Sequence, residues 1–246
     1  MEKNYNEYYN EIGYKYNQIR MDSKENIENT INIIKKENSK VNSKLLDVGC
    51  GTGIYGKELE KEGFIVTGID KSFSQVEQAK KIINAVQGNA TELPFEKSSF
   101  DICTMIMMIH QLDAKEREKA FEEILRVLKE NGKLIIKTTS HEELERKFNS
   151  IYFPKVLKID KERYPTIDKI HYELKNFRKI KDIHSSVKVK YDKKDLLKRL
   201  KFRRTSNLSL ISDEELYSGI KKIEKTYEDN NTIEMNIENT FVIAEK

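Results

Sequence analysis

The chain has 246 residues, of which 37% are hydrophobic and 35% charged, with 10 Gly, 3 Pro and 2 Cys. Its apolar residues recur in periodic blocks, which excludes wholesale disorder, and no run approaches the roughly 18 apolar residues of a membrane-spanning helix. Two cysteines make no disulfide framework, the opening MEKNYNEYYN lacks the apolar core of a signal peptide, and the 45 basic against 41 acidic residues leave a net charge of +4, so a cytoplasmic protein is expected.

The first 20 residues are rich in tyrosine and read as one or two short helices. Asp22 or Ser23 can cap a helix over about 24–36, with Ile27, Ile31 and Ile34 on one face. KLLDVG then reads as a buried strand stopped by glycine, followed by a helix over about 54–61 ended by Gly63. FIVTGID is a second strand, SFSQVEQAKKII a helix capped by Ser72 or Ser74, and NAVQGN a short third strand. FDICTMIMM is a fourth strand, apolar on both faces. AKEREKAFEEILRVLKENG is an amphipathic helix predicted to close at Asn131-Gly132, and KLIIKTT is a fifth strand. Beyond it the pattern predicts helices at 141–150, 167–178, 192–200 and 212–226, and strands at 183–191 and 240–245 that add an antiparallel pair to the same sheet.

Near-continuous apolar strands alternating with amphipathic helices predict an α/β fold, a doubly wound Rossmann-like sheet. It is mostly parallel with one antiparallel strand, and helices cover both faces. In such sheets ligands bind at the carboxyl ends of the strands, so the residues just after each strand carry the functional argument.

Two patterns overlap in DVGCGTGIYG at 47–56. Gly51, Gly53 and Gly56 form GxGxxG, the dinucleotide fingerprint, and Asp70 lies 19 residues beyond Gly51, where that motif expects a ribose-binding acid. Asp47, Gly49, Gly51 and Gly53 also form Asp-x-Gly-x-Gly-x-Gly. A fixed carboxylate beside the loop opposes a pyrophosphate and favours a cofactor with an ammonium group. The glycines let backbone approach a ligand where a Cβ would clash, and the Asp70 oxygens can accept from two ribose hydroxyls. NAD and S-adenosyl-L-methionine are the two cofactors in question.

LLDVGCGTG at 45–53, GID at 68–70, GNATELPFEKSSFDICTMIMMIHQL at 88–112 and LRVLKENGKLII at 125–136 resemble the class I S-adenosylmethionine-dependent methyltransferases. The flavour is type-11, similar to quinone-biosynthesis enzymes. YNEIGYKYNQIR at 9–20 resembles the family's amino-terminal lid. The resemblance implies one methyltransferase domain over 1–246, with a lid (1–40), a cofactor-binding core (41–140) and acceptor-side helices with the last two strands (141–246). It implies that Asp47, Gly49, Gly51 and Gly53 hold the methionine part of S-adenosyl-L-methionine, Asp70 the ribose, and that Lys71 lies beside the adenine. Asn89, where the family often has Asp, and Ala90 would meet the adenine. Met105 would lie by the sulfonium, and in the lid Arg20 would pair with the cofactor carboxylate and Tyr16 would cover it.

The implied reaction is an in-line methyl transfer to N, O, C or S of a small organic acceptor. His110, just past the fourth strand, is the candidate general base, because histidine titrates near neutral pH; His141 is a second candidate. Tyr9, Tyr14, Tyr152, Phe153 and Tyr164 are candidates for lining the acceptor pocket. Neither cysteine has the setting of a nucleophile, and no metal is expected: acids at the strand tips are too few for magnesium, and zinc ligands are lacking. The stretch 169–204 holds 14 basic and 4 acidic residues. It reads as solvated helix faces and a lysine-protected edge strand, because few aromatics interleave; binding of RNA through it, or a cofactor-binding module without turnover, are the alternatives.

Overall fold

The computed structural model describes residues 22–38, 40–203 and 205–246. Tyr9, Tyr14, Tyr16 and Arg20 therefore lie outside the described residues. Ser23 starts α1 (Lys24–Glu37) by accepting a hydrogen bond from the Asn26 amide. Strand β1 (Lys44–Val48) follows, then α2 (Ile54–Lys61), β2 (Ile65–Asp70), α3 (Phe73–Ala79) and β3 (Asn84–Gln87). Strand β4 (Phe100–Ile106) leads through a 3-10 turn (Ile109–Gln111) to α4 (Ala114–Val127), which Asp113 opens with a reciprocal capping box to Glu116. Strand β5 (Leu128–Thr138) is followed by α5 (His141–Arg146), α6 (Phe148–Tyr152), α7 (Pro154–Arg163) and α8 (Ile167–Glu173). The chain then runs through β6 (Arg178–Asp192), α9 (Lys193–Lys201), α10 (Asp213–Thr226) and β7 (Thr232–Glu245).

The seven strands lie in the order β3-β2-β1-β4-β5-β7-β6. Pairings from β3 to β5 are parallel, and β7 runs antiparallel to both β5 and β6. This is the expected doubly wound sheet with one reversed strand. The order turns between β1 and β4, so the carboxyl ends of these strands flank one crevice.

Period-two alternation assigns the two faces. Leu46, Leu134, Ile136 and Val242 point into one core with Phe121 and Ile124 of α4 and Ile170 of α8. Leu45, Ile135 and Ile243 point into the other, against Ile31 and Ile34 of α1, Leu59 of α2 and Val76 of α3. Each fully buried Leu or Ile contributes about 1.5–3 kcal/mol. A third apolar cluster joins Phe153 and Val156 to Leu196, Leu200, Leu216, Ile220 and Ile233, among the helices after β5.

Two expected elements are corrected. The helix predicted to reach Asn131-Gly132 ends at Val127, and Leu128 onward is extended. Arg126 fixes this end by donating to the carbonyls of Phe95 and Leu93, and Asn131 takes a left-handed φ of 61°. The fourth strand stops at Ile106 rather than Met108: Met107 adopts φ 52° while its amide donates to the Lys137 carbonyl.

Candidate active site

A cavity of about 1010 Å³ opens at the carboxyl edge of the parallel strands. Asp47 reaches it from β1, Asp70 from β2, Asn89 and Ala90 from the segment after β3, and Met107 and Met108 from beyond β4. Lys155, Ile159 and Arg163 of α7 line it too.

Asp47 is 2% exposed and accepts a hydrogen bond from the Thr104 hydroxyl at 2.8 Å, a contact set by the register of β1 against β4. Asp70 organises the glycine loop: its Oδ2 accepts from the Gly51 amide at 2.8 Å, and its Oδ1 from the Ser72 amide at 2.9 Å. Burial pushes its carboxyl above the usual range, opposed by these backbone donors. The Lys71 amide is a third backbone donor to this carboxylate.

The three loop glycines have positive φ but different surroundings. Among the described residues, a Cβ on Gly51 (φ 55°) would have only Gln75 Oε1 near it, at 3.7 Å. This is a cradle in which backbone can approach a ligand. Gly53 is not in the cavity wall; a Cβ there would lie 3.0 Å from Ile83 and 3.3 Å from Ala79, so its lack of a side chain serves packing against the segment after α3. At Gly49 a Cβ would meet Met108 at 2.9 Å.

Asn89 lines the cavity, but its Oδ1 accepts from the Thr91 amide at 3.2 Å, so the oxygen expected to face an adenine is engaged in a turn. Lys71 and Ala90 are in the wall. Met105 is not: it is wholly buried in the core beneath α4, and Met107 and Met108 occupy the cavity edge that it was expected to fill. Burial, then the charges of Asp47 and Asp70, push the Cys50 thiol far up, which makes it inert.

A smaller cavity, of about 300 Å³, shares Met107 and Arg163 with the first. His110 lines this one rather than the larger. Its ring stacks on Tyr164 with centroids 4.2 Å apart, and the Gln111 amide donates to its Nε2 at 2.9 Å. That arrangement occupies the basic lone pair and leaves the proton on Nδ1, which is buried and meets no hydrogen-bond partner among the described residues. Burial, and then the charges of Arg163 and Lys147, hold its imidazolium well below the usual histidine range. The geometry gives His110, the expected general base, a neutral ring that holds a proton on Nδ1 and accepts from Gln111 at Nε2. His141 donates its Nε2–H to the Tyr164 carbonyl at 2.9 Å, an anchoring bond.

Of the expected aromatic residues that fall among the described ones, Tyr164 lines the smaller cavity. Tyr152 and Phe153 belong to the third apolar cluster, because α10 brings Gly219 against Phe153. Four further side chains lie at these cavities or directly behind them: Tyr55, Lys137, Lys147 and Arg163. Tyr55 lies inside the glycine-loop motif itself and donates its hydroxyl to Asp22. Lys137 is 1% exposed on β5 and donates to Thr30 Oγ1 at 2.9 Å and Tyr55 Oη at 3.1 Å. Period two in KLIIKTT places Lys137 on the face of Ile135, so a lysine at an inward position was a usable signal. Lys147 and Arg163 come from irregular sequence that offered none.

Strand order and the glycine loop after β1 together define a class I methyltransferase fold. A family model described as "Methyltransferase domain" matches residues 46–136. The demethylmenaquinone methyltransferase of Staphylococcus haemolyticus is 30% identical over 169 residues, covering 61% of this chain and 70% of that protein. The same-named enzyme of Paenarthrobacter aurescens is 36% identical over 105 residues, covering 42% of this chain and 41% of that one. A solved structure from Anabaena variabilis, named for a methyltransferase of an antibiotic biosynthesis pathway, superposes with a TM-score of 0.71 at 20% identity, covering 88% of this chain and 96% of that one. The chain belongs to the methyltransferase-domain family of class I S-adenosylmethionine-dependent methyltransferases. It spans only 41% to 49% of the length of four of the curated relatives that it matches.

Proposed function

We propose that this protein transfers a methyl group from S-adenosyl-L-methionine to a small organic acceptor. The observation that carries the reading is the convergence of Asp47, Asp70 and the open face of Gly51 on one cavity at the sheet's switch point. When bound, the cofactor supplies an activated methyl group on a positively charged sulfur. The residues present suit it. Asp47 offers a buried carboxylate to an ammonium group, and Gly51 leaves room for close approach. Asp70, preset by backbone amides of the loop, offers its carboxylate oxygens to ribose hydroxyls.

In transfer of this kind the protein mainly aligns donor and acceptor and excludes water, and needs little proton chemistry. Met107 and Met108 give the strand-β4 edge of the cavity an apolar, polarisable surface. His110 and Tyr164 form a flat wall in the adjoining cavity, where a second substrate would lie. Tyr16 and Arg20 retain their proposed lid roles by resemblance alone.

The test is incubation of the protein with methyl-labelled S-adenosyl-L-methionine and a whole cell extract, against the same extract without the protein, followed by fractionation. Label in the low-molecular-mass fraction supports the reading. Label confined to RNA or protein overturns the acceptor class.

A further inference from the structure

Lys137 is 1% exposed, and burying an ammonium costs free energy that its contacts must offset. Its bonds have a fixed direction. The Tyr55 hydroxyl gives its single proton to Asp22, so towards Lys137, at 3.1 Å, it accepts. The Thr30 hydroxyl gives its proton to the Asn26 carbonyl at 2.7 Å and accepts from Lys137 at 2.9 Å in the same way. Lys137 is therefore the donor in both bonds, and the ring centroids of Tyr55 and Phe241 lie 5.4 Å and 6.0 Å from its Nζ. The far ends of these contacts are at the site. Tyr55 stands in the wall of the larger cavity, and Asp22 in the wall of the smaller one. The main chain of Lys137 reaches the same place: its carbonyl accepts from the Met107 amide at 2.9 Å, and Met107, with its left-handed φ, lines both cavities.

We propose that Lys137 is a positioning residue for the methyl donor. It acts through the Tyr55 hydroxyl, which Lys137 and Asp22 hold between them, and so keeps the tyrosine ring as a preformed wall of the cofactor cavity. The inference rests on the methyl-transfer reading and adds to it a residue that lies outside the glycine-loop motif and behind the cavity wall. A side chain tied at its far end has little rotamer freedom left to lose when a ligand packs against it, so binding need not offset that ordering. Tyr55 is also the second residue of α2, directly after the glycine loop, so the same link fixes the exit of the loop. A methionine at 137 would fill similar space but donate nothing to the hydroxyl.

The test titrates the full chain calorimetrically with S-adenosylhomocysteine, as wild type, Lys137→Met, Tyr55→Phe and the double variant, with urea unfolding of each alongside. Tyr55→Phe keeps the ring and removes the hydroxyl. Each single variant is expected to bind about fivefold or more weakly than wild type. The double variant is expected within about twofold of the weaker single, because both substitutions remove the same link. A lysine that served stability alone would shift the urea midpoint and leave the affinity of the folded protein unchanged. Affinity within about twofold of wild type in either single variant, losses that multiply in the double variant, or a Lys137→Met chain that no longer unfolds cooperatively would each overturn the proposal. Wild type that binds no S-adenosylhomocysteine would bring down the methyl-transfer reading and this inference with it, whereas binding by wild type that both variants keep brings down the inference alone.

Discussion

Gly51 and Gly53 sit two residues apart and answer to different constraints. At Gly51 a methyl group would project into the cavity from a left-handed backbone, whereas at Gly53 it would strike Ile83. Gly51→Ala is expected to lower S-adenosylhomocysteine affinity by roughly tenfold or more, with a backbone cost of about 1–2 kcal/mol. Gly53→Ala should cost about 2–3 kcal/mol of stability, because strain and overpacking add. Calorimetric binding and urea unfolding of the two variants separate these outcomes. His110 gives a pH-dependent prediction. Its folded-state pKa lies below the unfolded value, so its contribution to stability is fully present above about pH 6.5 and is lost as pH falls through the folded pKa. Within that window the loss approaches about 1.4 kcal/mol per pH unit. Denaturant unfolding at several pH values should show wild type losing more stability on acidification than His110→Gln; equal slopes would contradict the assignment.

Elements were legible wherever one periodicity ran unbroken. Helix α1 begins at the capping serine that the sequence offered, and β1, β2 and β5 keep the alternation that assigns their faces. The misreadings share a cause, which is that tertiary contacts end elements before the local pattern does. LKENG continues a helical pattern, yet Arg126 binds carbonyls from the segment before β4 and the chain turns at Asn131. The apolar run at 100–108 continues past Ile106, yet Met107 turns into the cavity edge. Met105 was misplaced for that reason, by the two residues that restore the strand's alternation. The α7 segment lacked a clear stripe, so Arg163 went unseen. At this scale the Arg117–Glu173 pair ties α4 to α8 through two hydrogen bonds of 2.8 Å, with side chains 9% and 8% exposed. Glu173→Ala leaves the guanidinium buried with the Leu112 carbonyl as its one hydrogen-bond partner among the described residues, and should cost about 3–5 kcal/mol in urea unfolding. Arg117→Met combined with Glu173→Met should recover much of that loss.

Across the whole molecule, the topology explains why residues scattered from 47 to 163 meet. Parallel strands deliver their carboxyl ends to one edge, and the helices after β5 return to wall it. The cofactor half of the site was readable because its residues sit in short motifs after strands. The side proposed for the acceptor was not, because the segment from Lys147 through α7 contributes single side chains from irregular sequence. The basic stretch has a structural use: β6 is an edge strand, and Lys181 and Lys179 pair with Glu37 and Glu245. Filter binding with single-stranded RNA at about 0.15 M salt should therefore show no saturable complex. The central claim is that Asp70 and the glycine loop hold an adenosyl-sulfur cofactor. Parallel calorimetric titration of wild type and Asp70→Ala with S-adenosylhomocysteine and NAD tests it most directly. The account predicts micromolar-range binding of S-adenosylhomocysteine to wild type, none of NAD, and loss of roughly a hundredfold or more in Asp70→Ala. Binding of NAD alone, or tight S-adenosylhomocysteine binding that survives the loss of Asp70, would contradict it.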